Sequence, residues 1–189
     1  DEQDSRFYGK FAMIPTLEPA SQQEAYDMME EAFQLSEEQH LPVLVRVTTR
    51  MAHSRAVVKV KETPRQQNEL NYNAQASNWV LLPAFARKRN AIVTAQQAEL
   101  ETIAEKSSHN KYEDAADHSM GIIATGIAYN YLMECFPDGC PFPVLKISHY
   151  PLPKALVRRM TEACESVLIA EEGHPFVEEM VRGVMPGNT

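Results

Sequence analysis

The sequence predicts an α/β fold with a mainly parallel sheet, and two observations carry that prediction. Between Met120 and Glu172 three short apolar runs, Gly121–Ala124, Pro143–Ser148 and Ser166–Ala170, alternate with two helix-like segments. Each run is closed by turn residues: Thr125-Gly126, then Tyr150-Pro151-Leu152-Pro153, then Glu171-Glu172-Gly173. Buried strands joined by helices read as parallel strands with right-handed crossovers. The first third of the chain repeats the alternation once, as a single β-α-β unit.

That unit opens with the apolar run Phe11–Ile14, read as a strand ended by Pro15. Ser21 with Glu24 three residues on forms a capping box and starts a helix. Ala25, Met28, Met29, Ala32 and Phe33 share one face of it, opposite a mostly acidic face of Glu30, Glu31, Glu37 and Glu38. Leu41-Pro42 breaks the helix, and Val43–Thr48 reads as the second strand. Two parallel strands cannot cover their own edges, and Val43, Val45 and Val47 cannot all lie under one helix. Neighbouring strands are therefore expected upstream of Asp1 or in another chain.

A polar loop follows, holding Arg50, His53, Ser54 and Arg55, and then the alternating run Val57–Lys61, read as a strand with one wet face. From Glu62 to Asn78 the sequence is polar and rich in Gln and Asn, as a linker is. Trp79–Pro83 reads as an anchor onto a domain face. Asn90–Lys106 reads as a helix, and Ser107–Asp117 as polar connection. His174-Pro175 reads as a further helix start.

The 189-residue chain carries a formal charge of −8, which argues against nucleic-acid or anionic-membrane partners. No apolar run nears the ~20 residues that cross a bilayer. Cys135, Cys140 and Cys164 cannot all pair, which favours a reducing cytoplasm. The first residue is Asp1, and the chain reads as a piece of something longer.

Five patterns could carry chemistry, and each is open to a plain structural reading as well. Thr125-Gly126 opens a helix after a strand, where an anion could sit, or is simply a tight turn. Cys135 and Cys140 lack further clustered ligands and read as ordinary thiols. Glu171 and Glu172 end a strand where open α/β sheets place ligands, but strand ends are often acidic. Arg87-Lys88-Arg89 could meet a phosphate or an acidic partner, or be a solvated helix end. The Thr48–Arg55 loop is strand-terminal and polar, hence well placed for function. Its neighbouring Ser and His are no evidence for a dyad, which is assembled in space.

Several blocks together resemble one family. Glu2–Ala12, Leu17-Glu18-Pro19, Gln23–Asp27, Leu44–Arg50 with His53-Ser54, Gly121-Ile122-Ile123, Tyr150–Pro153 and Glu171-Glu172 with Pro175-Phe176 are similar, in order, to indolepyruvate:ferredoxin oxidoreductase α subunits. These are members of the 2-oxoacid:ferredoxin oxidoreductases. The resemblance implies an enzyme that oxidatively decarboxylates an aryl 2-oxoacid, indolepyruvate above all, on thiamine diphosphate. Electrons pass to ferredoxin, and an acyl-CoA forms with coenzyme A. It implies magnesium and 4Fe–4S clusters in the full-length enzyme, a β subunit, the remaining α-subunit domains and an oligomeric assembly.

By the same resemblance, residues 1–62 look like the C-terminal part of a pyrimidine-binding domain. Residues 63–112 are then a linker and connecting helix, and 113–189 resemble the transketolase C-terminal domain. The family's activating carboxylate would lie upstream of Asp1, and no magnesium-diphosphate or cysteine-rich motif is present. This stretch is expected to bind none of the cofactors alone and to be inactive alone, serving as scaffold and cleft wall. The resemblance makes Gln3, Asp4, Arg6, Arg50 and His53 the cleft candidates, with Arg6 a bidentate contact for a substrate carboxylate. The alternative is that Asp4 and Arg6 pair with each other or with the neighbouring domain. The competing reading of the whole chain is a free-standing, non-enzymatic α/β module, separable by the open reading frame.

Overall fold

A computed structural model describes residues 3–62, 75 and 79–183. The linker read over Glu62–Asn78 lies almost wholly outside the described residues.

Two sheets make up the described chain. The larger has the order β3-β5-β4-β7, with β3 Lys111–Glu113, β4 Gly121–Thr125, β5 Val144–Ile147 and β7 Val167–Ala170. β4 lies parallel to both β5 and β7, as the three apolar runs require, while β3 adds an antiparallel edge. The crossover helices are α5 Gly126–Cys135 and α6 Lys154–Ala163, and α7 Phe176–Arg182 follows β7. All five residues of β4 are buried, which is why its sequence is uniformly apolar or small. Ile123, Leu145, Ile147, Val157, Met160, Phe176 and Val177 pack around it in one core.

The smaller sheet has the order β2-β1-β6, built from β1 Thr16–Leu17, β2 Leu44–Val45 and β6 His149–Tyr150. β1 and β2 are parallel and joined by α2 Gln22–Gln39, so the β-α-β unit is present. β6 pairs antiparallel with β1, Leu17 standing opposite His149. A neighbour expected upstream or from another chain is thus supplied by the later half of this chain. Ser148, between β5 and β6, also accepts the Glu18 amide at 2.8 Å, so the connection between the sheets is one continuous backbone run.

Ser21 caps α2 and accepts the Glu24 amide at 3.2 Å. The Glu24 carboxylate reaches back one residue further than a capping box predicts, to the Ala20 amide at 2.6 Å. The helix buries Met28, Ala32 and Leu35, whereas Met29 and Phe33 are exposed. The inward stripe is rotated from the one expected because the helix sits over β1 and β2, where Leu17, Val45 and the preceding Val43 complete that small core.

Six other expectations are corrected. The run Phe11–Ile14 is not a strand: Arg6–Ala12 forms α1, Met13 ends it in the left-handed conformation, and pairing starts only at Thr16. The second strand is two residues, Leu44–Val45, with the Arg46 amide still donating to the Leu17 carbonyl at 2.8 Å. Thr49–His53, read as loop, is the short helix α3, started by the Thr48 side chain accepting the Met51 amide. Val57–Lys61 forms no strand, and Val57 and Val60 are exposed. Trp79 and Leu81 are exposed and anchor nothing among the described residues. The helix read from Asn90 starts earlier, since Pro83 stands at its first position in α4, Pro83–Lys106.

Candidate functional site

The carboxyl ends of the parallel strands of both sheets converge. Glu18 follows β1, Arg46 follows β2, Thr125 ends β4 and Glu171 follows β7. Arg6 enters this point from the start of α1 and is 1% exposed. Its Nε lies 2.9 Å from Asp4 Oδ1, and its Nη2 also contacts the Asp4 carboxylate. Nη1 reaches Thr125 Oγ1 at 3.2 Å and Glu171 Oε2 at 2.9 Å. Nη2 donates further to the carbonyls of Glu172 at 3.2 Å and His174 at 3.1 Å. Arg46 pairs with Glu18 and donates to the same Glu172 carbonyl at 3.0 Å. Tyr150 closes the cluster by donating to Glu18 Oε2 at 2.7 Å.

Three carboxylates and two guanidinium groups are thus enclosed where the sheets meet. Isolated, such charges would be expelled from the interior; here each has a partner of opposite sign. Burial alone would raise the Asp4 carboxyl, but the Arg6 hydrogen bonds and the two arginine charges bring it below its ordinary value. Glu18 is more deeply enclosed, and there burial outweighs Arg6 and Arg46, so its carboxyl is raised. Burial beside Glu18 raises the Tyr150 phenol well above the usual value.

Two glycines make room for the cluster. Gly126 has φ +47°, and a Cβ there would stand 2.7 Å from Glu18 Cγ. Gly173 has φ +109°, and its Cβ would stand 2.8 Å from Asp4 Oδ2. Both positions therefore need glycine for conformation and for space. The Thr125-Gly126 turn read as a possible anion cradle has the Glu18 carboxylate packed against it. Glu171 accepts the amides of Val177 at 3.0 Å and Glu178 at 3.2 Å, which fixes the start of α7 to the cluster.

Beside the cluster opens a polar cleft of about 640 Å³. Gln3, Asp4 and His53 line it, with Thr48, Thr49 and Glu172. Arg6 lies beneath this wall with its donors taken inside the chain. Arg50 is exposed and stacks its guanidinium 5.3 Å from the Tyr131 ring centre, away from the cleft lining. Glu172 gives its carbonyl to both arginines, and its Oε2 has no hydrogen-bond partner among the described residues. The cleft can hydrogen-bond an extended polar ligand through hydroxyls, an amide, an imidazole and a carboxylate. No nucleophile-and-base pair is assembled in it among the described residues.

Glu18, Arg46 and Tyr150 belong to this machinery, and none stood out in the sequence as a site residue. The one signal was Arg46 itself, a charge set within the apolar run Val43–Val47. The donor set does not fit a metal or an iron–sulfur cluster. Cys135 is exposed and Cys164 buried on another element. Among the described residues no three His, Cys, Asp or Glu side chains group to hold a metal. No described helix is long and apolar enough to cross a membrane.

Comparison with known proteins places this architecture. No protein-family model matches the chain. It is 36% identical over 187 residues to the indolepyruvate oxidoreductase subunit IorA of Methanothermobacter thermautotrophicus, a match covering 97% of this chain and 30% of that protein. IorA of Archaeoglobus fulgidus matches at 36% over the same share. IorA of Pyrococcus horikoshii matches at 35% over 192 residues, covering 96% of this chain and 29% of that protein. In fold the chain is similar to a 2-oxoglutarate:ferredoxin oxidoreductase from Magnetococcus marinus, at a TM-score of 0.59 and 13% identity. That match covers 90% of this chain and 37% of the other. The chain is a homologue of one stretch of the indolepyruvate oxidoreductase subunits IorA, and it spans about 30% of their length.

Proposed function

We propose that this chain is the part of an indolepyruvate:ferredoxin oxidoreductase α subunit that joins two domains and walls the substrate cleft. The collinear identity over 187 residues to IorA carries this reading. In it, residues 1–62 close a pyrimidine-binding domain, residues 63–112 connect, and residues 113–189 form a transketolase-C-terminal-like domain. The cluster around Arg6 sets the angle between the two. Gln3 and His53, with Thr48, present polar groups to an aryl 2-oxoacid or to the cofactor it reacts on, while Asp4 lines the cleft with its carboxylate held by Arg6 and Arg46.

Thiamine diphosphate with magnesium and the 4Fe–4S clusters would be held outside these residues, whose donor sets do not suit them. They would supply decarboxylation and electron transfer. The whole enzyme would work in the cytoplasm as an oligomer with a β subunit, ferredoxin and coenzyme A, and neither membrane nor nucleic acid would take part.

The test uses the full-length enzyme carrying Thr48→Val or His53→Ala. Losing one polar contact to substrate should raise KM for indolepyruvate about tenfold, the equivalent of ~1.4 kcal/mol, with assembly unchanged. Unaltered KM and kcat in both variants would remove the cleft from the active site. In parallel, calorimetry of the 189-residue chain with thiamine diphosphate and magnesium should show no saturable binding. Micromolar affinity would place the cofactor here after all.

A further inference from the structure

The cleft beside the charge cluster is a groove between one face of α1 and one face of α3. Ser5 and Tyr8, three residues apart, share the α1 side. Thr48, Thr49, Ala52 and His53 share the α3 side, again at helical spacing. Each helix is pinned from its opposite face. Met51 is buried under α3. In α1, Arg6 is enclosed in the cluster, and a Cβ at Gly9 would overlap the Thr16 hydroxyl. Phe7 packs edge-on to Phe176, with ring centres 5.0 Å apart. With residues 6, 7 and 9 held inward, α1 cannot roll, and Tyr8 is fixed on the side of the cleft.

Tyr8 is 58% exposed, and neither its ring nor its hydroxyl has a partner among the described residues. A lone exposed apolar group is ordinary on a protein surface. Phe11, one turn further along α1 and outside the cleft lining, is such a group. Tyr8 differs in its company. Val47, 48% exposed, and the exposed Ala52 line the same cleft. Together the three form the apolar part of an otherwise polar lining, and Tyr8 carries the one benzene ring in it.

We propose that Tyr8 is a specificity residue, whose ring stacks on the aryl group of a 2-oxoacid and so favours aryl over alkyl substrates. Val47 and Ala52 complete the apolar contact. This assignment rests on the cleft being the substrate site, and the indolepyruvate in the names of the relatives supplies the aryl class. The cleft, at about 640 Å³, has the size of a small-molecule site, and such sites set aromatic walls against a few polar groups. A ring on a ring gains from stacking geometry beyond the area it buries, which an alkyl chain cannot do. A tyrosine with two side-chain torsions, on a helix already pinned, loses little entropy in making that contact. The hydroxyls and imidazole of the α3 side are left for the carboxylate and keto oxygens.

The test uses the full-length enzyme, with indolepyruvate as substrate and 2-oxobutyrate, a short alkyl acid, as competitor. Tyr8→Ala should raise KM for indolepyruvate about tenfold and change kcat far less, the split expected when binding alone is lost. The inhibition constant of 2-oxobutyrate should not move with it. Tyr8→Phe, which keeps the ring, should retain the parent KM. Equal shifts in KM and in the 2-oxobutyrate constant, or a Tyr8→Phe variant as impaired as Tyr8→Ala, would overturn the proposal. When Thr48→Val or His53→Ala raises KM and Tyr8→Ala does not, the Tyr8 assignment falls while the cleft stands as the substrate site. When none of the three moves KM, both fall.

Discussion

In the four-stranded sheet, β4 is buried along its whole length and runs between two parallel neighbours, and a contiguous apolar core surrounds it. The three-stranded sheet consists of two-residue strands over a core of Leu17, Met28 and Ala32. The first is held by apolar burial and a backbone ladder. The second adds to that small core the Tyr150 ring of β6, which packs into the larger core, and the enclosed charges of Asp4, Arg6, Glu18, Arg46 and Glu171. The lesson is that the same layer architecture can be stabilised by opposite chemistries in its two halves, with different responses to mutation and pH.

The sharpest way to break that comparison is Arg6→Ala. It leaves Asp4, Glu18 and Glu171 buried with one guanidinium among them, and should cost roughly 3–5 kcal/mol. Leu145→Ala, in the other sheet, should cost about 2–5 kcal/mol through the cavity it leaves. Urea titrations followed by tyrosine fluorescence would check both. The informative contrast is Arg6→Lys, which keeps the charge but not the five-donor fork, and should recover less than half the loss. If Arg6→Ala costs under 1 kcal/mol, charge does not hold the smaller sheet.

Gly126→Val strikes the seam between the two halves. A side chain at φ +47° is strained, and its Cβ would overlap Glu18, which Arg46 and Tyr150 hold in place. A loss of about 2–4 kcal/mol is expected from strain and overpacking together. An unchanged denaturant midpoint would mean that Glu18 can move, and that the cluster is looser than its contacts imply.

The same contrast governs what the sequence could disclose. β4 and β5 are legible as apolar runs because burial on both faces demands Val, Ile, Leu and Ala, and β7 is legible by the same composition although its Leu168 is half exposed. α2 is legible through Ser21 and Glu24, a local signal. β1, β2 and β6 are too short to leave a period of two, and their pairing is fixed by side chains distant in sequence. β3 is hidden because its Lys111 is exposed and its Glu113 half-buried, as suits an edge strand without an apolar run. The cleft candidates Gln3, Asp4 and His53 were reachable through family likeness, whereas Glu18, Arg46 and Tyr150 come together only by long-range closure.

The two halves should also differ in pH response through two histidines near their junction. The folded pKa of His149 is depressed to about 4, against an unfolded value near 6.5. The unfolded chain therefore binds more protons between pH 4 and 6.5, and stability falls as pH drops through that window. Full protonation should cost roughly 3–3.5 kcal/mol. His109 has the opposite sign. Burial would lower it, but hydrogen bonds to Glu24 and Glu31 and their charges raise it above 6.5. Its contribution is present below pH 6.5 and is lost as pH rises through the raised value. Comparing stability of the parent with His149→Phe and His109→Gln from pH 4 to 9 should flatten the acid limb in the first and the alkaline limb in the second. Identical profiles in all three would refute the assignment.

The smallest expected effect is at Phe33, on the outer side of α2. Its ring is 70% exposed, although the residue belongs to the stripe that the sequence turns inward. If the smaller sheet is held from within by charge, that outer side contributes nothing to the chain's own stability. Phe33→Ser should then change the unfolding free energy by less than about 0.5 kcal/mol. Phe176→Ala provides the scale. Phe176 is buried against Phe7 and Tyr150, with ring centres 5.0 and 5.6 Å apart, and its loss should cost about 3–5 kcal/mol. A loss above 1 kcal/mol at Phe33 would mean that the ring is covered in solution, most simply by a second copy of the chain. Sedimentation at several concentrations would decide that, because a Phe33-dependent dimer would dissociate on dilution while a monomer would not change.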